Sequence, residues 1–457
     1  MPARTRTGPA ALRKAVGRPP GPARTLPGAS ILSIRRDPVG FLMGLARDHG
    51  DLAFVRLGPF DVYAANHPDH VKDVLVTNHR RFMKGQGLQE AKRLLGEGLL
   101  TSEGEVHRRQ RRQIQPIFHH ERTHAYGPAM VEASARTRDR WRDGPVDMNR
   151  EMMRLTLTIV GRTLFDADVE GEAAHVGDAL TTAMELFDTL TIPFGGLLDR
   201  LPLPRTKRFK AAREELFGVI DRMIAEHRAR GSERGDLLSM LLAAQDEDGG
   251  AMSDQQVRDE AMTIFLAGHE TTAQWLTWTW YLLSRNPAAE ARLHDELDEV
   301  LGDRLPVTQD VERLPYTGMV LSEALRLYPP AYVVGRRALE DHRMGGYPVP
   351  AGSLVLLSPW VSHHDPRWFP EPFRFDPGRW VEPERSKRPR HSFFPFGAGP
   401  RVCIGEGFAW MEATLALATL ASAWRARLDP SHEVEIQPVI TLRPKGGMPM
   451  TLERRRR

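Results

Sequence analysis

One cysteine in 457 residues, Cys403, constrains most tightly how this chain can be built. A lone thiol closes no intramolecular disulfide and assembles no multi-thiolate zinc or iron–sulfur site, so an ordinary apolar core must hold the fold. At 41% hydrophobic residues, the material for a large core is present. A single cysteine is commonly a small buried filler. The neighbours of Cys403 argue for more. It lies in Phe396-Gly397-Ala398-Gly399-Pro400-Arg401-Val402-Cys403-Ile404-Gly405, where three glycines free the backbone for left-handed or crowded conformations that can aim N–H groups at the sulfur. The run from Phe408 onward is rich in helix formers, which puts Cys403 just before a helix N-terminus, where the dipole favours a thiolate. Arg401 adds a nearby cation. The stretch reads as a metal-ligand loop.

No stretch of about 18 uninterrupted apolar residues, the length needed to span a bilayer, occurs, and the N-terminus lacks the apolar core of a secretory signal. A cytoplasmic protein with no membrane anchor is expected. The formal charge of +4 is unevenly spread: residues 1 to 36 hold eight Lys or Arg and no acid, and Arg454 to Arg457 add four more, so the body between is net acidic. The basic balance belongs to the tails and gives no reason to expect a nucleic-acid partner. Residues 1 to 27, rich in Pro, Gly and Arg, are expected to be a disordered tail, and residues 28 to 457 a single domain. The prolines leave little room for the amphipathic helix of a transit peptide.

Order is expected from near Ala29. Residues 37 to 49 carry helical spacing; 52 to 57 and 61 to 65 read as strands about Gly58-Pro59. Helical patterns follow over 105–120, 127–141, 149–165, 172–190, 206–230, 235–245, 254–285, 287–301 and 316–327, with strand-rich patches at 333–355 and 434–452. The fold class is mainly α with small β-sheets. Residues 357 to 395 form a Pro- and aromatic-rich segment of weak periodicity, long enough to imply a functional loop.

Three constellations carry chemistry. The longest helical pattern has an odd middle, Ala267-Gly268-His269-Glu270-Thr271-Thr272, with a glycine, an acid and two β-branched hydroxyls in a helix interior. Local rules that fail together mark a functional site. A metalloprotease reading of His269-Glu270 fails because the fifth position is Ala273. Glu323 and Arg326 sit three apart on a helix and can pair, a motif that elsewhere is usually a weak surface bridge. In His107-Arg108-Arg109-Gln110-Arg111-Arg112, His107 and Arg111 share one face and Arg108 and Arg112 another, as a solvated basic helix would also show.

The pattern Phe-Gly-x-Gly-x-Arg-x-Cys-x-Gly, met at every fixed position, resembles the haem-binding loop of the cytochrome P-450 family. The resemblance extends in order over roughly residues 26 to 457. It implies haem b, lodged between the long central helix and the cysteine loop, with Cys403 as the axial thiolate of the iron, Phe396 packed beside it, and Arg401, His107, Arg111 and Arg336 as propionate partners. A thiolate pushes electron density to the iron and favours O–O cleavage. The middle of the long helix resembles the family's oxygen-activation motif: Gly268 would leave room for dioxygen, Thr271 would hydrogen-bond the oxygen held there, and Glu270 would help deliver protons. His269 has no assigned role beyond packing or surface. Glu323, Arg326 and Arg379 resemble a buried structural triad that locks the long loop. The implied activity is monooxygenation, hydroxylating an apolar terpenoid, fatty acyl or polyketide-like molecule in secondary metabolism with O2. Since no dinucleotide fingerprint or iron–sulfur cysteines occur here, electrons would come from a ferredoxin and its reductase, docked at Arg108 and Arg112, and the enzyme would be a monomer. The pocket would be lined by Leu88–Leu100, Phe187–Leu198, Ile264, Ala267, Tyr332–Val334 and Val439–Thr441. A peroxide-driven enzyme or a non-catalytic haem sensor are the alternatives; the acid–threonine pair argues against both.

Overall fold

The helix Pro38–His49 shows how local chemistry sets the elements. The Asp37 side chain accepts from Gly40 N, proline occupies a first-turn position where a missing N–H costs nothing, and Gly50, at φ +81°, ends the helix. The computed structural model describes residues 17–23, 29–167, 203–230, 236–243 and 252–456, together with Ala179 and Thr182. Most of the expected tail, the helical pattern over 172–190 and the pocket segment Phe187–Leu198 lie outside the described residues. The chain divides into two compact units.

The first unit comprises residues 1–89, 331–372 and 386–403. At its centre is a five-stranded sheet in the order Leu52–Leu57, Phe60–Ala65, Leu354–Leu357, Val334–Ala338, Phe82–Lys84. The first two strands form the hairpin expected about Gly58-Pro59, in register Leu52↔Ala65 to Leu57↔Phe60. The second pairs in parallel with Leu354–Leu357, and the remaining pairs are antiparallel. Alternation sorts the side chains. Leu52, Tyr63, Ala65, Val355 and Leu357 face one cluster with Val71, Val74, Phe82 and Phe394, while Ala53, Val55, Val62 and Ala64 face a second with Leu45. Order starts before Ala29. On the open edge of the sheet Phe54 N donates to Pro20 O at 2.8 Å, and the Arg18 guanidinium lies 4.6 Å from the centroid of the Phe54 ring. An edge strand whose N–H groups need partners holds this piece of the basic tail.

The second unit comprises residues 90–330, 373–385 and 404–457. Its axis is the helix Asp254–Arg285, with the expected bounds, started by Ser253, which accepts from Gln256 N. Nearly every residue from Val257 to Leu283 is buried, so the helix runs through the core rather than along it. It packs against the helices Met148–Leu164, Pro315–Leu327 and Glu406–Ala421. Two indoles on it are satisfied by backbone: Trp275 Nε1 donates to Leu321 O and Trp278 Nε1 to Leu442 O, each at 2.9 Å. Trp410, on Glu406–Ala421, meets Trp275 edge-on at 4.8 Å. The unit also holds a three-stranded sheet, Gly144–Asp147, Pro449–Arg454 and Trp424–Leu428, and the ribbon Ile436–Pro438 with Leu442–Pro444.

Candidate active site

The cysteine loop is fixed within the first unit. Gly397 and Gly399 take φ of +76° and +70°, and Cys403 N donates to Phe396 O at 2.9 Å, closing the turn. Gly399 is obligatory on a second count, since a Cβ there would lie 2.0 Å from Leu75 O. Arg401 staples the loop to the preceding chain by donating to Phe82 O at 2.9 Å. The thiol so held is exposed. The helix Glu406–Ala421 begins three residues later, as the sequence predicts. Arg336, in the strand Val334–Ala338, is buried and donates to Gly335 O at 2.9 Å. The Pro-rich approach to this loop is tied down: Ser358 Oγ donates to Tyr332 O at 2.8 Å, and His363 Nε2 accepts from Phe394 N at 3.0 Å.

The second unit carries the other expected residues. In the helix Gly104–Ile114, His107, Gln110 and Ile114 form the buried face, Arg111 is half-buried, and Arg108 and Arg112 are exposed. Arg108 pairs with Glu105. In the otherwise buried middle of the long helix, Ala267 is exposed, and Gly268 and Thr271 are half-buried, so one accessible strip crosses a core helix. Thr271 Oγ1 donates to Ala267 O at 2.7 Å. Glu270 points the other way, fully buried, where Thr441 Oγ1 donates to its Oε1 at 2.8 Å; burial raises its carboxyl above the usual range, against the pull of Thr441 and Arg443. His269 is buried, with Nδ1 2.8 Å from Phe265 O, and burial lowers its imidazole to about 4, which agrees with packing rather than surface. The place of the absent Cβ of Gly268 faces Val160, 3.2 Å away, so the glycine lets two helices approach.

Sequence reasoning missed how the loop Gly96–Leu99 is fastened to this helix. Glu97 N donates to Asp259 Oδ2 and Leu99 N to Glu260 Oε2, both at 2.8 Å, and a Cβ on Gly96 or Gly98 would lie 2.2 Å from Asp259 or Thr263. The signal was the adjacent acids Asp259-Glu260 in an apolar run. The triad is assembled about a fully buried pair: Arg326 grips Glu323 through Nε and Nη2, each at 2.8 Å, and the half-buried Arg379 has its Nε 3.3 Å from Glu323 Oε1. Two further donors were not anticipated, Trp380 Nε1 and Asp376 N, each 3.0 Å from the same carboxylate.

A pinned, glycine-rich loop presenting one exposed thiol suits a thiolate-ligated redox cofactor. The family model for Cytochrome P450 matches residues 19–449. The chain belongs to the cytochrome P450 family. Over 427 residues, 91% of each chain, it is 47% identical to cyclooctatin synthase of Streptomyces melanosporofaciens. It is 40% identical to cyclooctat-9-en-7-ol 5-monooxygenase of the same organism, over 87% of each chain, and 38% identical to pentalenene oxygenase of Streptomyces avermitilis, over 91% of this chain and 94% of that one. Membership brings the mainly α P450 fold, a haem cofactor and oxidoreductase activity of the monooxygenase type. Among the described residues no helix is long and apolar enough to cross a membrane.

Proposed function

We propose that this P450 hydroxylates an unsaturated carbocyclic, terpenoid-like molecule, inserting one atom of O2 and releasing the other as water at the cost of two electrons and two protons. The names cyclooctat-9-en-7-ol and pentalenene denote unsaturated, largely hydrocarbon compounds, and the described candidate lining residues Leu94, Leu95, Leu99, Ile264 and Ala267 are themselves apolar. Haem, when bound, supplies the iron at which dioxygen is held and cleaved. Cys403 would hold it through its thiolate, Phe396 would pack beside the sulfur, and His107, Arg111, Arg336 and Arg401 would hold its carboxylates. Residues 28–457 would be a single haem domain. Electrons would come from a separate ferredoxin system.

The observation that carries this reading is the pairing on one helical turn of an accessible Thr271 hydroxyl with the buried Glu270, whose carboxyl burial raises above its usual range. Thr271 would hold and orient the oxygen-bound proton, and Glu270 would replace it. The reduced, carbon monoxide-treated protein should show the long-wavelength Soret band of thiolate ligation, lost in Cys403→Ser. Thr271→Ala should keep that band yet divert electrons from product to hydrogen peroxide, with product formation down about 100-fold if proton delivery is the step removed. A peroxide-driven enzyme or a sensor would show neither the diversion nor the loss.

A further inference from the structure

The pattern His-Glu-x-x-His, which fails at residues 269–273, is met elsewhere, by His120-Glu121-Arg122-Thr123-His124. These residues open the helix His120–Arg140, so the two histidines are one turn apart on the same side. Their ring centroids are 4.1 Å apart with the planes tilted by 39°, closer than chance neighbours need to be. His120 is exposed and His124 half-buried. Among the described residues neither imidazole has a hydrogen-bond or ion-pair partner, so the ring nitrogens are available to a ligand. Two imidazoles at this spacing on a rigid helix are the chelating half of a transition-metal site.

We propose that His120 and His124 chelate one divalent transition ion of the copper, nickel or zinc class, with water completing its coordination. Among the described residues no group of three His, Cys, Asp or Glu could hold a metal ion, so the site lacks the third protein ligand of a hydrolytic zinc centre and binds without hydrolysing. Local charge tunes it in both directions. The helix N-terminus and the exposed Arg122 oppose a cation, and Glu121, between the two ligands, favours one. The helix is well anchored beneath the pair: Thr123 is buried, its N donating to His119 O at 2.9 Å, and Thr308 Oγ1 lies 3.4 Å from His124 O. Binding therefore requires only imidazole rotation, without backbone rearrangement.

The test is equilibrium dialysis of the full, untagged, chelator-stripped haem protein against Cu2+, Ni2+ and Zn2+, with electron paramagnetic resonance of the copper form. The expected result is one ion per chain, copper tightest, with hyperfine structure from two nitrogens. Outer-shell partners alone are worth about 10–100-fold in metal affinity, so loss of a ligand in His120→Ala or His124→Ala should each weaken binding at least about tenfold. His119→Ala should bind as the native chain does, and an unchanged Soret band would show that each variant is folded. No binding by the native chain, a loss confined to one of the two variants, or an equal loss in His119→Ala would overturn the proposal.

Discussion

Burial raises the carboxyls of both Glu270 and Glu412 above their ordinary range, but only one has an evident use. Glu270 precedes Thr271 and is held by Thr441. Glu412, on the helix that follows the cysteine loop, has no hydrogen-bonded oxygen among the described residues, and the adjacent Thr272 hydroxyl is turned to Gly268 O. Burial pushes its carboxyl well above the ordinary range. The sign of the consequence is definite. Below the unfolded-state pKa both states are protonated and Glu412 costs nothing extra. As pH rises toward the raised folded value, the unfolded chain alone ionises and the native state loses stability. Glu412→Gln, which cannot ionise, should therefore be more stable than the native chain at pH 7 by on the order of 1 kcal/mol or more, and the difference should vanish near pH 4. Urea denaturation at the two pH values measures it; a difference independent of pH would refute the account.

The clamp at Glu323 shows why element context matters more than motif. The pair Arg136–Glu132, also on one helix but with an exposed carboxylate and a half-buried guanidinium, sits at 2.6 Å, and pairs that reach solvent contribute about 0–1 kcal/mol. Arg326–Glu323, at similar distances, is fully buried and also receives Trp380 Nε1 and Asp376 N from the loop around residues 373–385. Arg326→Ala would strand a buried carboxylate, so denaturant unfolding should show a loss of about 3–5 kcal/mol, against under about 1 for Arg136→Ala. Glu-x-x-Arg was legible in the sequence because the two residues share a helix. The extra donors were not, because Trp380 is more than fifty residues away and reaches Glu323 only through the path of the loop. The helices 254–285 and 287–301 were legible to the residue, since capping, periodicity and proline act locally.

For the molecule as a whole, charge placement sets the expectation. The exposed Arg108 and Arg112 share a helix with the buried His107, offering a cationic patch on a body that is otherwise net acidic. If an acidic ferredoxin docks there, reversing both charges should slow reduction several-fold at low ionic strength and flatten its salt dependence, because rim charges act mainly on association. Stopped-flow reduction at two salt concentrations decides it, and unchanged kinetics would remove the patch from the docking surface. His120 and His124 belong to the same unit, and their spacing was as readable as any motif here; their closely spaced, tilted imidazoles became evident only with side chains in place.

Sequence alone determined the family, the bounds of the helices 254–285 and 287–301 and the hairpin of the first sheet. Those depend on residue identity and on contacts within a few positions, which the chain carries with it. Only the tertiary structure decided that Gly268 faces Val160, that Glu270 turns to Thr441, that Glu412 is stranded in the core, and that residues 18–20 fasten to a sheet edge. Each of these depends on which distant segment arrives beside a given side chain, and burial, not residue type, then sets its charge and its partners.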